Sequence, residues 1–532
     1  MTTSPASPAP NAAPEGLLEA LGDYETALLA NDLDALDAAF VDSPGTMRGD
    51  DRGLLVGHDA ISAFRGARGG VATRSLTHVE VRPLTEDRAL VVSVSRFAAG
   101  GQGLQTQLWR RDGDTGWRIE AAHVTGRPKA VDTTVWRAVG DPLVAPTASG
   151  PLDGLTVAVK DLYAVPGQPV GAGNPTYLRE APVETAPAAA VAALLAAGAS
   201  IRGIARTDEF AYNLTGRNAH HGTPPNSAAP TRLPGGSSSG SASAVGLGTA
   251  EIGIGTDTAG SVRVPASYQG LWGLRTTHGT VSRDGLLPLA PSFDTVGWLT
   301  RSPGVLLAAL DATVPPPATA GAPDATVIVV PEELVALVEP AVARSFTAFV
   351  EALDEPVATV RLRDLGIPDP AALQEQMRLV QAAEALAAHG PWIDAHSGAL
   401  SPVVGDRFRA ARANDPDATA DAVARLDEVR ATISRALAGR TLLFPTVPGP
   451  APLLDADTAA LERTRTATTA MTALASVGGL PAVSAPALTV DGAPVGVCLV
   501  GEPATDRALV IRAGRMLPDQ AAPGLPTVSV VR

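Results

Sequence analysis

LTVAVKDLYAVPGQPVGAGNPTYLREAPVETAPAAAVAALLAAGASIRGIART, residues 155–207, passes from a short apolar run through turn-rich sequence into an alanine-rich segment and back to a short apolar run. LTVAVKD is too short for a helix and reads as a strand. PAAAVAALLAAG (187–198) reads as a helix ended by Gly198, and ASIRGIART returns to strand. Strand, helix and strand in alternation, followed by AEIGIGTD (250–257), predict an α/β fold around a largely buried sheet. Further along, helical stretches near Glu332–Leu353, Pro370–Ala388 and Ala418–Leu437 predict a helical insertion. Strands around Thr441–Pro445 and Val495–Val500 are expected to close the sheet.

Towards the N-terminus the texture differs. Leu17, Leu18, Leu21, Tyr24, Leu28, Leu33, Leu36 and Phe40 recur at helical spacing with a break near Asn31–Asp32, which predicts two helices. HVEVRP, ALVVSVSRF, QTQLWRR and WRIEAAHV, between Leu76 and Val124, alternate like strands of a curved antiparallel sheet. We therefore expect a tail over residues 1–14, a small domain over 15–128, a linker over 129–150, and a larger domain over 151–532. The first fourteen residues lack the basic start and apolar run of a secretory signal, so a cytoplasmic location is the expectation.

With 41 basic and 55 acidic residues the net charge is −14, which argues against nucleic-acid or anionic-membrane partners and towards a small-molecule ligand. The single cysteine, Cys498, forms no internal disulfide and has no Cys/His neighbours suited to zinc, so no metal site is expected. His220 and His221 are adjacent, and side chains so placed rarely converge on one metal; a polar loop role is expected.

The chemistry concentrates in three segments. Lys129 and Lys160 are the only lysines, so arginine is the default base of this chain. Lys160 ends the apolar strand, where burial lowers an ammonium pKa; a lysine can then act as a neutral base, which a guanidinium cannot. LPGGSSSGSASAVG (233–246) places Gly235 and Gly236 before Ser237, Ser238 and Ser239, a loop able to bring backbone N–H groups to a ligand. Gly236–Gly240 also spells G-x-S-x-G, which would make Ser238 a nucleophile elbow, but His278, His389 and His396 sit in no motif that completes a triad. GIGTDTAG begins like a dinucleotide fingerprint and then has Thr258 where the third glycine belongs.

GLTVAVKD (154–161), PGGSSSGSASAV (234–245) and GIGTDTAGSVRVPASYQGLWGLRTTHG (253–279) together resemble the amidase signature family. NAHHGTPPN, VPASYQGLWGLRTTHGTVS and APSFDTVGW are most similar to plant indole-3-acetamide hydrolases and related bacterial amidases within it. The resemblance implies an amidase-signature α/β/α fold with a mixed central sheet, and a Ser–cis-Ser–Lys catalytic arrangement of Ser261 as nucleophile, Ser237 as the cis serine and Lys160 as the base. It further implies an oxyanion hole of backbone N–H groups at Thr258, Ala259, Gly260 and Ser261. Asn213 and Leu214 fall in its substrate-side loop. Ser238, Ser241, Asp257 and Arg263 are expected to support the loop or Lys160 from behind. Ala259 and Ser239 depart from the family pattern, each standing where glycine is usual. YETALLANDLDALDAAFVDSP, GHDAISAFRGAR and WRIEAAHV resemble the AtzH-like domain, a small α+β cone of the NTF2-like type. In such a cone Arg48, His58, Trp117 and His123 are candidate pocket residues.

The expected function is hydrolysis of a small carboxamide to a carboxylic acid and ammonia or an amine through an acyl-serine, without cofactor. The alternatives are a subunit resembling tRNA-dependent amidotransferases, or a non-catalytic binding or scaffold protein on the same fold. Self-association is left open.

Overall fold

The structure is a computed structural model describing residues 13–50, 53–68, 71, 73–97, 102–113, 116–125, 131–314, 326–396 and 398–517. Residues 1–12 of the expected tail and Lys129 lie outside the described residues. Two compact units divide the chain, residues 1–130 and 131–532.

The first unit runs α1 (Leu17–Ala30), α2 (Leu33–Ala38), β1 (Met47–Asp50), β2 (Gly53–Val56), α3 (His58–Arg68), β3 (Arg74–Pro83), β4 (Arg88–Phe97), β5 (Gln102–Arg111) and β6 (Trp117–Thr125). Its two first helices separate where the sequence predicts, because Asn31 turns left-handed at φ 54° and the Asp32 side chain accepts the Ala35 N–H at 3.1 Å. The sheet order is β2-β1-β6-β5-β4-β3, antiparallel except for β1 against β6. Leu17, Leu21, Tyr24, Phe40, Ile61, Trp109 and Ile119 form its core. Trp117 is buried there too, with Nε1 donating to the Glu15 carbonyl at 2.9 Å. Of the candidate pocket residues, Arg48 lines a small cavity with Tyr24, Arg65, Arg74 and Gln105, Trp117 lines a second, more open one with Glu15, Trp109 and Arg111, and His58 and His123 line neither.

The second unit comprises β7 (Trp136–Val144), β8 (Thr156–Lys160), α4 (Pro175–Glu180), α5 (Ala189–Ala196), β9 (Ser200–Ala205), α6 (Ser239–Gly246), β10 (Ile252–Asp257) and α7 (Arg263–Gln269). It continues with β11 (Trp272–Arg275), β12 (Thr295–Thr300), α8 (Pro303–Thr313), β13 (Val327–Pro331), α9 (Glu332–Val335), α10 (Pro340–Glu351), β14 (Val357–Val360), α11 (Pro370–Ala395) and α12 (Pro402–Arg412). Then come α13 (Pro416–Leu437), β15 (Arg440–Pro445), α14 (Thr458–Gly478), β16 (Ala482–Val490), β17 (Ala493–Val500) and α15 (Asp506–Met516). Eleven strands form one mixed sheet in the order β14-β13-β15-β17-β16-β11-β12-β10-β8-β9-β7. β8 lies between β9 and β10, parallel to both, so its side chains are covered on both faces. Two helices of the insertion begin where an aspartate cap meets proline: Asp369 accepts the Ala372 N–H at 2.8 Å before Pro370, and Asp415 accepts the Asp417 N–H at 2.9 Å around Pro416.

The expected linker needs correcting. Residues 136–144 form the edge strand β7, antiparallel to β9, with the Asp141–Pro142 peptide cis. Its register shifts between Val139 and Val144, so the chain bulges away and inward-facing side chains no longer alternate. Helix α12 lies between the second and third expected helical stretches, outside both.

Candidate active site

Three chain segments meet at the carboxyl end of β8. Lys160, its last residue, is wholly buried and donates from Nζ to Ser237 Oγ at 2.8 Å, Ser238 Oγ at 3.0 Å and Thr256 Oγ1 at 2.7 Å. Ser237 and Ser238 sit on the turn entering α6, and the Gly236–Ser237 peptide is cis. Thr256 belongs to β10, the neighbouring strand. Gly255, beside it, has to be glycine, since a Cβ there would lie 2.5 Å from Ser238 Oγ. Burial pushes the Lys160 ammonium down to about 7, against the opposing pull of the Asp208, Asp294 and Asp257 carboxylates. Asp208 is pushed up to about 7, also by burial.

A neutral amine carries two N–H bonds and one lone pair, so with three hydroxyl partners one of them must donate to Nζ. Ser238 Oγ has the Thr256 carbonyl within reach at 3.4 Å. Ser237 Oγ and Thr256 Oγ1 each make no other hydrogen bond among the described residues, so either hydroxyl can be the one that donates to Nζ, and when Ser237 donates, its lone pairs are left for another hydroxyl.

Ser261 follows on the loop between β10 and α7. Its carbonyl accepts the Ser238 N–H at 3.2 Å, which ties the loop to the serine-rich turn. Among the described residues no hydrogen bond links Ser261 Oγ to Ser237 Oγ; Ser261 instead lines a cavity of about 130 Å³ with Asn213, Leu214, Arg378, Arg407 and Arg465. Asn213 is fixed there: its Oδ1 accepts the Leu214 N–H and Arg407 Nη2, both at 3.0 Å, and its Nδ2 donates to Thr215 Oγ1 at 2.7 Å.

One member of the expected oxyanion set drops out. The Gly260 N–H donates to Asp257 Oδ1 at 2.9 Å and so is already engaged. The N–H groups of Thr258, Ala259 and Ser261 have no hydrogen-bond acceptor among the described residues. Gly260 has a geometric duty instead: its φ is +111°, and a Cβ there would press within 3.0 Å of Thr472 and Val264 methyls.

Asp257 organises this loop. Besides Gly260, its carboxylate accepts the Val262 and Arg263 N–H groups at 3.2 Å, Arg263 Nη2 at 2.8 Å and Arg275 Nη1 at 3.2 Å, with all three charged side chains fully buried. Burial alone would raise its pKa, yet the two guanidiniums and their hydrogen bonds hold the carboxyl well below the usual carboxylate range. Asp257→Asn leaves two buried guanidiniums without their counter-charge and is expected to destabilise the protein by about 3–5 kcal/mol, measured by denaturant unfolding. Ser241 Oγ donates to the Ile254 carbonyl at 3.1 Å, joining α6 to β10 without touching Lys160.

Sequence reasoning missed Thr256, Asp208, Asp294, Arg275 and the cavity arginines. Thr256 had a signal, since it stands inside the quoted GIGTDTAG and one strand over from Lys160. The histidines of the elbow alternative go elsewhere. His278 and His389 bond the carbonyls of Pro291 and Pro288, His396 pairs with Glu180, and none hydrogen-bonds Ser238. His220 pairs with Glu209 at 2.8 Å, and among the described residues no group of His, Cys, Asp and Glu could hold a metal. Cys498 is a buried residue of β17.

Comparison with known proteins bears on this geometry. Residues 140–510 match the amidase family, and residues 14–129 match the AtzH-like family. The chain is 37% identical over 397 residues to Amidase 1 of Arabidopsis thaliana, covering 68% of this chain and 93% of that protein. It is 37% identical over 390 residues to the 2-amino-5-chloromuconic acid deaminase of Comamonas testosteroni, covering 68% of this chain and 80% of that protein. A solved amidase crystal structure superposes with a TM-score of 0.63 at 33% identity, over 69% of this chain and 85% of that one. The chain belongs to the amidase signature family, hydrolases of amide C–N bonds, and carries an AtzH-like domain at its N-terminus.

Proposed function

We propose that Ser261 is the nucleophile of an amidase acting on a small carboxamide, with Lys160 as its proton acceptor and Ser237 as the relay between them. The observation that carries this reading is the bond from a buried Lys160 Nζ to Ser237 Oγ, beside a loop whose serine lines the cavity. Substrate binding closes the last link, since catalytic hydrogen bonds that are absent in a free enzyme commonly tighten in the complex.

An amide resists attack because of resonance, and its amine leaves only when protonated. Neutral Lys160 takes the Ser237 proton as Ser237 takes that of Ser261, and the Ser261 oxygen forms a bond to the carbonyl carbon. The negative charge passes to the carbonyl oxygen, held by free N–H groups of Thr258, Ala259 and Ser261. The tetrahedral adduct collapses, the C–N bond breaks, and the proton stored on Lys160 returns through Ser237 to the leaving nitrogen. Water then attacks the acyl-Ser261 ester by the same relay, releasing the acid and restoring the serine.

The test is ammonia release from a panel of aliphatic, aryl, indole and dicarboxylic acid monoamides. Turnover of at least one class without added metal or tRNA is expected. Absence of turnover and of Ser261 labelling by a serine-directed probe would favour a scaffold role.

A further inference from the structure

The cavity in front of Ser261 is positively charged, in a protein that is strongly acidic overall. Three guanidiniums reach it from three helices far apart in sequence: Arg378 on α11, Arg407 on α12 and Arg465 on α14. Two of them are already paired. Arg378 Nε bonds Glu375 at 2.7 Å and Arg465 Nε bonds Glu462 at 2.9 Å, both carboxylates being more than half exposed and so screened by water.

Arg407 is different. Its side chain is partly buried, and among the described residues no carboxylate lies within ion-pair distance. Its hydrogen-bond partner is the neutral Asn213 Oδ1, and its guanidinium stands 5.9 Å from the Tyr212 ring centroid. Burial, and next the like charge of Arg465, push its pKa down to about 10, so it remains charged at neutral pH. A partly desolvated cation held by a neutral amide, with its planar fork open to a cavity, suits a bidentate anion. Asn213 fixes the guanidinium in place, which lowers the ordering cost when that anion arrives.

We infer that Arg407, flanked by Arg465 and Arg378, is a specificity residue that binds a carboxylate on the acyl part of the substrate, so that the preferred amides are monoamides of dicarboxylic acids. This deepens the hydrolase reading and rests on it. A carboxylate at Arg407 anchors the far end of the substrate while Ser261 meets the amide, which converts binding energy into orientation of the reacting carbonyl.

The experiment measures kcat/KM for the monoamides of succinic, glutaric and adipic acid against neutral counterparts in which an isopropyl group replaces the carboxylate. The best monoamide is expected to exceed its counterpart by about 100-fold. Arg407→Gln should collapse that ratio to within about fivefold of one, with Arg407→Lys in between because a point charge restores attraction but not the fork. Arg361→Gln, an exposed arginine far along the chain, serves as the control. Hydrolysis of both series at equal efficiency, or a ratio untouched by Arg407→Gln, would overturn the inference and leave the hydrolase standing. Calorimetric binding of glutaric monoamide to the Ser261→Ala protein separates the two readings. Binding that depends on Arg407 supports the carboxylate site even where wild-type protein releases no ammonia, an outcome that counts against the hydrolase reading alone.

Discussion

Ser261→Ala is expected to lower kcat by about 10⁵-fold or more, because removing the nucleophile leaves only the contribution of binding and oxyanion donors. The same change at Ser238 is expected to cost about 10- to 100-fold, the range for a residue that orients a reacting group without meeting substrate. Ser238 Oγ accepts from Lys160 and from the Thr256 N–H at 3.3 Å, deep behind the loop, so it holds the amine in place. A nucleophile elbow at Ser238 predicts the opposite order. Initial rates of ammonia release for the two variants, together with the intact mass of any acyl adduct, decide between them.

Lys160→Arg is expected to lower kcat/KM at neutral pH by about 10⁴-fold, the upper range for loss of a general acid–base group. The reason is chemical before it is steric. A guanidinium does not deprotonate, so it cannot take the proton of Ser237 however well it hydrogen-bonds. The larger head also has to fit among three hydroxyls at a fully buried position. Lys160→Met, of similar length and without charge, separates the two causes. It should lose activity to a similar extent while lowering stability only by the cost of the buried hydroxyls left without a partner, about 1–3 kcal/mol.

Much of this site was legible in the sequence, for identifiable reasons. Lys160 stood out because it ends a buried strand in a chain where arginine is otherwise the default, and Ser237 and Ser261 sit in unusually small-residue segments. The α/β order followed from helix and strand periodicities that neighbouring elements reinforce. What escaped notice depends on contacts that no local pattern encodes. β7 reads as a connector because Gly140, the Asp141–Pro142 pair and the register shift break its alternation. β1 and β2 are four residues each and largely exposed at one or more positions, too short for a period to show. The Arg378, Arg407 and Arg465 cluster draws on helices that only the folded sheet brings together, and the engagement of the Gly260 N–H by Asp257 is a matter of loop geometry rather than residue type.

The pH dependence of acylation tests the central claim most directly. Burial has brought Lys160 to about 7, and protonation removes the lone pair that accepts the Ser237 proton. The base is therefore inactive below that value and competent above it, so single-turnover formation of the acyl-Ser261 species should rise tenfold per pH unit at low pH and level off just above 7. Asp208, pushed to a similar value and close to Lys160, titrates with it, and Asp208→Asn should move the limb without removing it. A rate that is flat from pH 5 to 9, or one that climbs only near 10 as for an ordinary solvated lysine, would contradict proton transfer through an uncharged Lys160.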